Sequence, residues 1–360
     1  MSFGIYNPED QVLSSDAVIS PMWDDRTTVL STFFTSSTQE AGVYGQFTQG
    51  TFFLDVYKDN PFLTSSLSPQ FSIAYGHISG SGSSYFNALV DGKTPTRDIY
   101  GQFRSLIYGD ENTAFQFGGS TYTSKDIIII SVSRAKFKES FNPGSFFLAL
   151  KSGSNSIGLV DDSTVTTTST YIGTSRVYQL LSGSYNASTG VSTPSSSNYT
   201  VSGSYGLMIP DEGLIILNPR ALALSSGPLG GIGAIFNEFS ASQAATFFSG
   251  LGTTYNLNNR MMFDMMSSAP TFSLQSYETI SSRYFFTRVK NSEFNYTSNP
   301  TIIDSNGNLL FTTLVYNPQT FITTIGMYNN SGDLLAIAKL NKPLVKDFTK
   351  ELLLRVKLDF

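Results

Sequence analysis

Asp126-Ile127-Ile128-Ile129-Ile130-Ser131-Val132 is the stretch on which the fold turns. β-branched side chains favour extended backbone, and successive residues of a strand point to opposite faces. Four isoleucines in a row therefore predict a strand buried on both sides. The neighbouring segments are also strand-like. Phe71–Ile78 is an apolar strand, and Ala41–Phe47 and Thr51–Val56 are two more, split by Gln49-Gly50 as in a hairpin. Phe146–Leu150 and Ile157–Val160 flank Gly153-Ser154-Asn155, a second hairpin. Arg176–Leu181 is a strand, and Tyr205–Ile209 returns through Pro210-Asp211-Glu212-Gly213 into Leu214–Leu217.

Beyond Pro270 the strand signal resumes. Tyr284–Val289 is one strand; Thr301–Ile303 and Leu309–Thr312 bracket Asp304-Ser305-Asn306-Gly307-Asn308; Phe321–Tyr328 and Leu334–Leu340 bracket Asn329–Asp333. In the last strand Leu354, Val356, Leu358 and Phe360 alternate with Arg355, Lys357 and Asp359. A slip of one residue would expose the whole apolar set, so the register is well specified. Ending on an aromatic within a strand, this terminus is expected to be docked.

A helical period occurs in two places. Pro95 follows the cap residue Thr94, and Ile99, Phe103, Leu106 and Ile107 form an amphipathic stripe that stops at Gly109, which predicts a helix over 95–108. In 218–268, Asn218-Pro219 opens a short helix, and Ser240 caps Ala241–Phe248, which Gly250 ends. Leu257–Met266 then sets Met261, Met262, Met265 and Met266 on one face. That spacing suits a buried core helix, with an adaptable Met-rich interface as the other reading.

The expected fold is mainly β with a minor α component: antiparallel sheets or β-sandwich-like domains plus a small helical insertion around 218–268. The organisation reads as an extended N-terminal arm (1–25), interrupted by Pro8, Pro21 and Asp24-Asp25. A β-rich domain with one helix (26–182), a polar loop (183–204), and a hairpin and helical segment (205–268) follow, and a C-terminal β domain (269–360) completes the chain. Gly80–Ser84 is a flexible loop. The stretch 183–204 is nearly all Ser, Thr, Gly, Asn and Tyr and reads as exposed. No repeat of 20–50 residues indicates a solenoid or propeller.

Composition narrows the function. Charged residues are 14% of the chain, below the usual quarter or so, while aromatics reach 14%; disordered chains show the reverse. The net charge of −5 gives no basis for binding nucleic acid through its phosphates. Lys346, Lys350, Arg355 and Lys357 alternate with apolar residues as a solvated face does. With no cysteine, disulfides, thiolate zinc sites and thiol nucleophiles are excluded. No charged leader with an apolar core is visible at Met1–Ile5, and no apolar run is long enough to span a membrane. The Asn-x-Ser/Thr matches at Asn186, Asn198, Asn295 and Asn329 read as chance in such a chain.

No catalytic constellation is assembled, so no catalytic, cofactor-binding or metal residue is assigned. The single histidine, His77, lies within a strand and reads as a satisfied core residue, without a nucleophile elbow nearby. Asn87–Pro95 resembles the end of a phosphate loop, but its first glycine is Asn87 and Pro95 removes a donor. Gly230-Gly231-Ile232-Gly233 lacks the context of a dinucleotide fingerprint. Asp304–Asn308 offers oxygens at alternate positions as calcium loops do, yet Leu309 and Val315 stand where glycine and glutamate are required, so it reads as a hairpin turn. Asp161-Asp162 and Asp211-Glu212 are carboxylate pairs of the kind glycan hydrolysis uses, both in turn-like contexts.

Several blocks resemble a structural-protein family of T4-like myophages, especially cyanophages. The C-terminal part carries most of the likeness: Arg288–Tyr296, Asn317–Tyr328, Leu335–Leu340 and Arg355–Phe360. Weaker echoes are Ile99–Arg104, Arg176–Tyr178 with Ser182–Ser184, and Gly206-Leu207 through Asn218-Pro219. The blocks are scattered over about two-thirds of the chain. The resemblance implies a non-enzymatic virion subunit, made in the host cytoplasm and placed in the baseplate or tail. Its implied partners are other virion proteins, and it would be present in several symmetric copies. Two alternatives are a host-recognition or glycan-processing tail protein and a neck or head-decoration protein. Ser2–Asp25 and the C-terminal strand through Phe360 are the expected interface segments, with an ordinary core role as the other reading of that strand.

Overall fold

A computed structural model describes residues 7–35, 53–61, 63, 67–81, 95–110, 112–166, 170–236, 257–297 and 299–359. Chain contacts divide it into two units, Val18–Glu278 and Met1–Ala17 with Thr279–Phe360. The elements of the first half are β1 (Gln11–Pro21), β2 (Val29–Leu30), β3 (Phe34–Thr35), β4 (Phe53–Tyr57), β5 (Phe71–His77), α1 (Pro95–Tyr108), β6 (Phe115–Gln116), β7 (Thr123–Ser124), β8 (Asp126–Ser131), β9 (Ser140–Phe141), β10 (Phe147–Ser152), β11 (Asn155–Asp161) and β12 (Thr170–Ile172). The second half holds β13 (Ser175–Asn186), β14 (Val191–Pro194), β15 (Gly206–Ile209), β16 (Leu214–Leu217), α2 (Pro219–Leu222), α3 (Leu257–Ser267), β17 (Phe272–Ser273), β18 (Gln275–Val289), α4 (Thr312–Tyr316), β19 (Thr320–Tyr328), β20 (Leu334–Lys346) and β21 (Leu352–Asp359). The fold is mainly β with a minor α component and antiparallel sheets, as its composition implied.

The larger unit is built on one sheet in the order β2-β17-β10-β11-β13-β15-β16-β8-β5-β4-β3, antiparallel at every step, with β12 and β14 also paired to β13. The isoleucine strand β8 lies inside it, with Ile130 opposite Ile73 on one side and Ile215 on the other. Its residues divide by parity. Ile127 and Ile129 enter one core with Tyr100, Phe115, Leu207 and Ile216; Ile128 and Ile130 enter the other with Tyr75, Ile215, Leu217 and Met262. Two cores on two faces are the physical reason why all four central positions of this strand are apolar.

Helix α1 lies close over β5. A Cβ on Gly76 would stand 2.9 Å from the backbone nitrogen of Tyr100, so only glycine allows this approach. The buried face of α1 is Thr96, Tyr100 and Ile107, flanked by half-buried Ile99 and Phe103; the expected stripe residue Leu106 is exposed. Tyr100 takes that role because its hydroxyl donates to the carbonyl of Ser124 and accepts from the N–H of Phe115, which satisfies its polar end in the core. The Gly109 N–H bonds the Ser105 carbonyl, at the expected stop. At α2 the Asn218 side chain accepts from the Arg220 N–H, the cap that the Asn-Pro pair predicts. In α3, Met262, Met265 and Met266 are buried in the main core, which makes them core filler.

Two boundaries differ from the expectation. The polar stretch 183–204 is not a free loop: β13 continues to Asn186 and pairs with β14, while Ser192, Thr200 and Ser204 are buried. Small hydroxyl side chains allow this, since Ser192 Oγ donates to the Gly144 carbonyl and Ser204 Oγ to Gln179 Oε1 and the Gly206 carbonyl. In the expected arm, Gln11–Pro21 is a strand of the chain's own sheet, and Met22 and Trp23 lie in the main core, Trp23 with its ring centroid 5.1 Å from that of Phe272. Residues 41–47, the Thr94 cap and the helix expected over 241–248 lie outside the described residues.

Candidate assembly surface

The smaller unit contains the ladder β18–β21, in which Arg283 opposes Leu358 and Val289 opposes Leu352, with β1 on the other side of β18. It also contains the ribbon β19–β20 and the short helix α4. The terminal strand keeps its predicted alternation: Leu354 and Val356 are buried, Leu358 is half-buried, and Arg355, Lys357 and Asp359 are exposed. Arg355 and Lys357 lie over the Tyr284 ring at 5.4 and 5.9 Å. At the ribbon base Lys346, expected on a solvated face, is instead fully buried, and its ammonium donates to Asn295 Oδ1 and to the carbonyls of Asn291 and Asp347.

Apolar burial is uneven between the units. Both apolar cores consist of residues between Met22 and Leu274. Among the described residues of the smaller unit, Val289, Leu354 and Val356 are the buried large apolar side chains. Leu13, Phe311, Tyr316, Phe321, Leu335 and Ile337 are all more than half exposed, Tyr316 at 92%. A fully buried side chain of this kind contributes about 1.5–3 kcal/mol. Most of the unit's other large apolar side chains are exposed or only half-buried. Surfaces of this kind mark interaction sites.

The ribbon shows the same imbalance. β20 begins Leu334-Leu335-Ala336-Ile337-Ala338, apolar on both faces, and pairs only with β19 among the described strands. A lone two-stranded ribbon is marginal in water without a third strand or a covering element. The sequence contains this signal. A five-residue apolar run after an Asn-Asn-Ser-Gly turn has the pattern of an ordinary strand, but a strand apolar on both faces needs a layer on each.

His77 is buried, and its Nδ1 accepts from the backbone N–H groups of Ser79 and Ser81. Asp161 is fully buried and accepts from the Gly144 N–H with both oxygens and from the Ser163 N–H and hydroxyl; burial pushes its carboxyl pKa up. Asp162 accepts from the Gln179 N–H and the Thr166 hydroxyl, and burial raises its pKa also. Asp211 pairs with Arg176 at 2.9 Å, and Glu212 accepts from the Ser175 hydroxyl. The carboxyl of Asp304 accepts from the N–H groups of Asn306 and Asn308, which holds its pKa down and closes a turn. Beside that turn only the single bridge Ile303–Leu309 forms, so the strands expected over Thr301–Ile303 and Leu309–Thr312 are absent, and Thr312 instead opens the short helix α4. A Cβ on Gly231 would meet the Ala221 carbonyl at 2.4 Å, so this glycine is a packing requirement against α2. Asn87–Thr94 lies outside the described residues.

Among the described residues no group of three or more His, Cys, Asp or Glu is placed to hold a metal ion, and no helix is long and apolar enough to cross a membrane. A crevice lined by Tyr296, Ile302, Leu309, Leu314 and Pro318 encloses about 40 Å³, space for water rather than for a ligand. No protein-family model, curated protein or solved structure matches the chain.

Proposed function

We propose that this chain is a structural subunit of a tailed-phage virion, in its baseplate or tail, acting through subunit–subunit interfaces and present in several symmetric copies. The observation that carries the interface part of this reading is the smaller unit: strands and turns with few fully buried apolar side chains and many exposed ones, Phe321, Leu335 and Ile337 among them. Large static interfaces use aromatic and aliphatic residues at their centres and exclude Lys and Glu. The virion part rests on the resemblance of Arg288–Tyr296, Asn317–Tyr328, Leu335–Leu340 and Arg355–Phe360 to the myophage family, and these blocks fall in the same unit. In this reading the larger unit, with its two closed cores, is a rigid body, and the smaller unit completes its packing against neighbours.

Fitting this chain into a density map of the intact particle of its phage tests the proposal. The expected result is a body matching Val18–Glu278, with Phe321, Leu335 and Ile337 covered by adjoining protein. Absence of the chain from purified particles, together with glycan turnover that one carboxylate substitution abolishes, would replace it with the glycan-processing reading.

A further inference from the structure

The two edges of the β19–β20 ribbon differ in chemistry. β20 carries Lys339, and its ladder with β19 breaks register between Lys339 and Leu344, which sets Lys342 and Pro343 in an irregular stretch; a charge, a bulge and a missing donor are the means by which edge strands resist pairing. β19 is Thr320-Phe321-Ile322-Thr323-Thr324-Ile325-Gly326-Met327-Tyr328: nine residues without a charge or a proline, rich in β-branched side chains. Among the described strands it pairs with β20 alone. Over nine residues this edge extends for about 30 Å.

We infer that β19 pairs antiparallel with β19 of a second copy of this chain about a two-fold axis at Thr323, giving a four-stranded sheet in the order β20-β19-β19-β20. Three features of the ribbon select a second copy. A two-fold axis sets each strand against itself, and a strand without charge meets no self-repulsion in any register. Joining two ribbons lifts each above the two-strand limit of stability. The product has the Lys- and Pro-bearing β20 strands at both outer edges, so pairing ends at the dimer instead of propagating as a fibre. The inference names the partner for one part of the surface proposed above, and it rests on that surface being an interface.

The absence of cysteine makes the test clean, because any disulfide reports only an introduced thiol. Sedimentation of the full chain over a concentration range should show a dimer. Thr323→Lys, at an exposed position, should weaken it at least ten-fold, and mixing the Thr323→Lys and Thr323→Asp chains should restore it. Asn341→Lys, exposed on β20, should leave it unchanged. Under mild oxidation Thr323→Cys should form a covalent dimer and Asn341→Cys should not. A monomer at every concentration, a dimer indifferent to Thr323→Lys, or equal cross-linking through Asn341→Cys would overturn the inference. Hydrogen exchange at β21, in the same unit but off the proposed seam, confirms that each variant is folded. A virion map showing β19 against a different protein would refute the dimer while sparing the virion reading; a solution dimer absent from particles would do the reverse.

Discussion

The Nζ of Lys346 lies 2.7 Å from Oδ1 of Asn295, and the lysine is fully buried. The other two contacts of the ammonium, to the Asn291 and Asp347 carbonyls, are 3.0 and 2.8 Å. Its three donors are thus all used on neutral oxygens, and they tie the end of β20 to the segment after β18.

Lys346→Met should therefore loosen this unit. Hydrogen bonds to a charged group are worth about 1.5–3 kcal/mol, and removing the charge forfeits them. Lys346→Arg should rescue poorly, because a planar fork does not reproduce three diverging donors. Hydrogen exchange should accelerate across Thr320–Tyr328 in both variants and stay unchanged in Asp126–Ser131. Unchanged protection in β19 would contradict the tie.

Ile127 and Ile128 are neighbours in sequence but belong to different cores. Ile127→Val and Ile128→Val should each cost about 0.5–1.5 kcal/mol in equilibrium denaturation. Because they share no core, the double variant should lose the sum to within about 0.5 kcal/mol. Strong coupling between them would place both side chains in one cavity.

The buried Asp161 titrates in the opposite sense to a salt-bridged carboxylate. Burial raises its folded pKa, so between the unfolded value, about 3.9, and the raised one the folded state holds more protons. Stability contributed by this group falls as pH rises through that window. Asp161→Asn should remove that part of the pH slope. It should also cost about 1–3 kcal/mol, since an amide N–H₂ then faces the Gly144 N–H. Denaturation measured from pH 4 upward in both proteins checks both effects.

Asp347 behaves the other way. Hydrogen bonds from the Thr349 hydroxyl and from Lys350 lower its pKa to about 2. Its contribution is present above the unfolded value of about 3.9 and is lost as pH falls through about 2. Amides near Thr349 should exchange faster below pH 4, and Asp347→Asn should abolish that pH dependence.

Leu335→Ser and Ile337→Ser lie at exposed positions and should change the stability of the isolated chain by less than about 0.5 kcal/mol. Binding of an apolar dye should fall, and incorporation of the chain into particles should drop. A large loss of stability instead would mean that these side chains serve the chain's own packing.

Much of the fold was legible because its signals are local. The Ile127–Ile130 run, the Pro95 start, the Asn218-Pro219 cap and the Leu354–Asp359 alternation each encode their element within a few residues. The 183–204 hairpin was not, because serine and threonine suit both a solvated loop and a buried strand whose hydroxyls meet carbonyls such as that of Gly144. Trp23 likewise joined the core through Phe71 and Phe272, distant in sequence, so the proline-broken segment before it gave no warning.

The sequence alone determined that the chain is β-rich, holds a doubly buried central strand and lacks cysteine, because composition and periodicity are properties of neighbouring residues. Tertiary structure decided which apolar strands found a second layer and which did not. Phe321 and Leu335 look like core residues in a strand pattern, yet they face solvent, because burial depends on what the rest of the chain brings to each face.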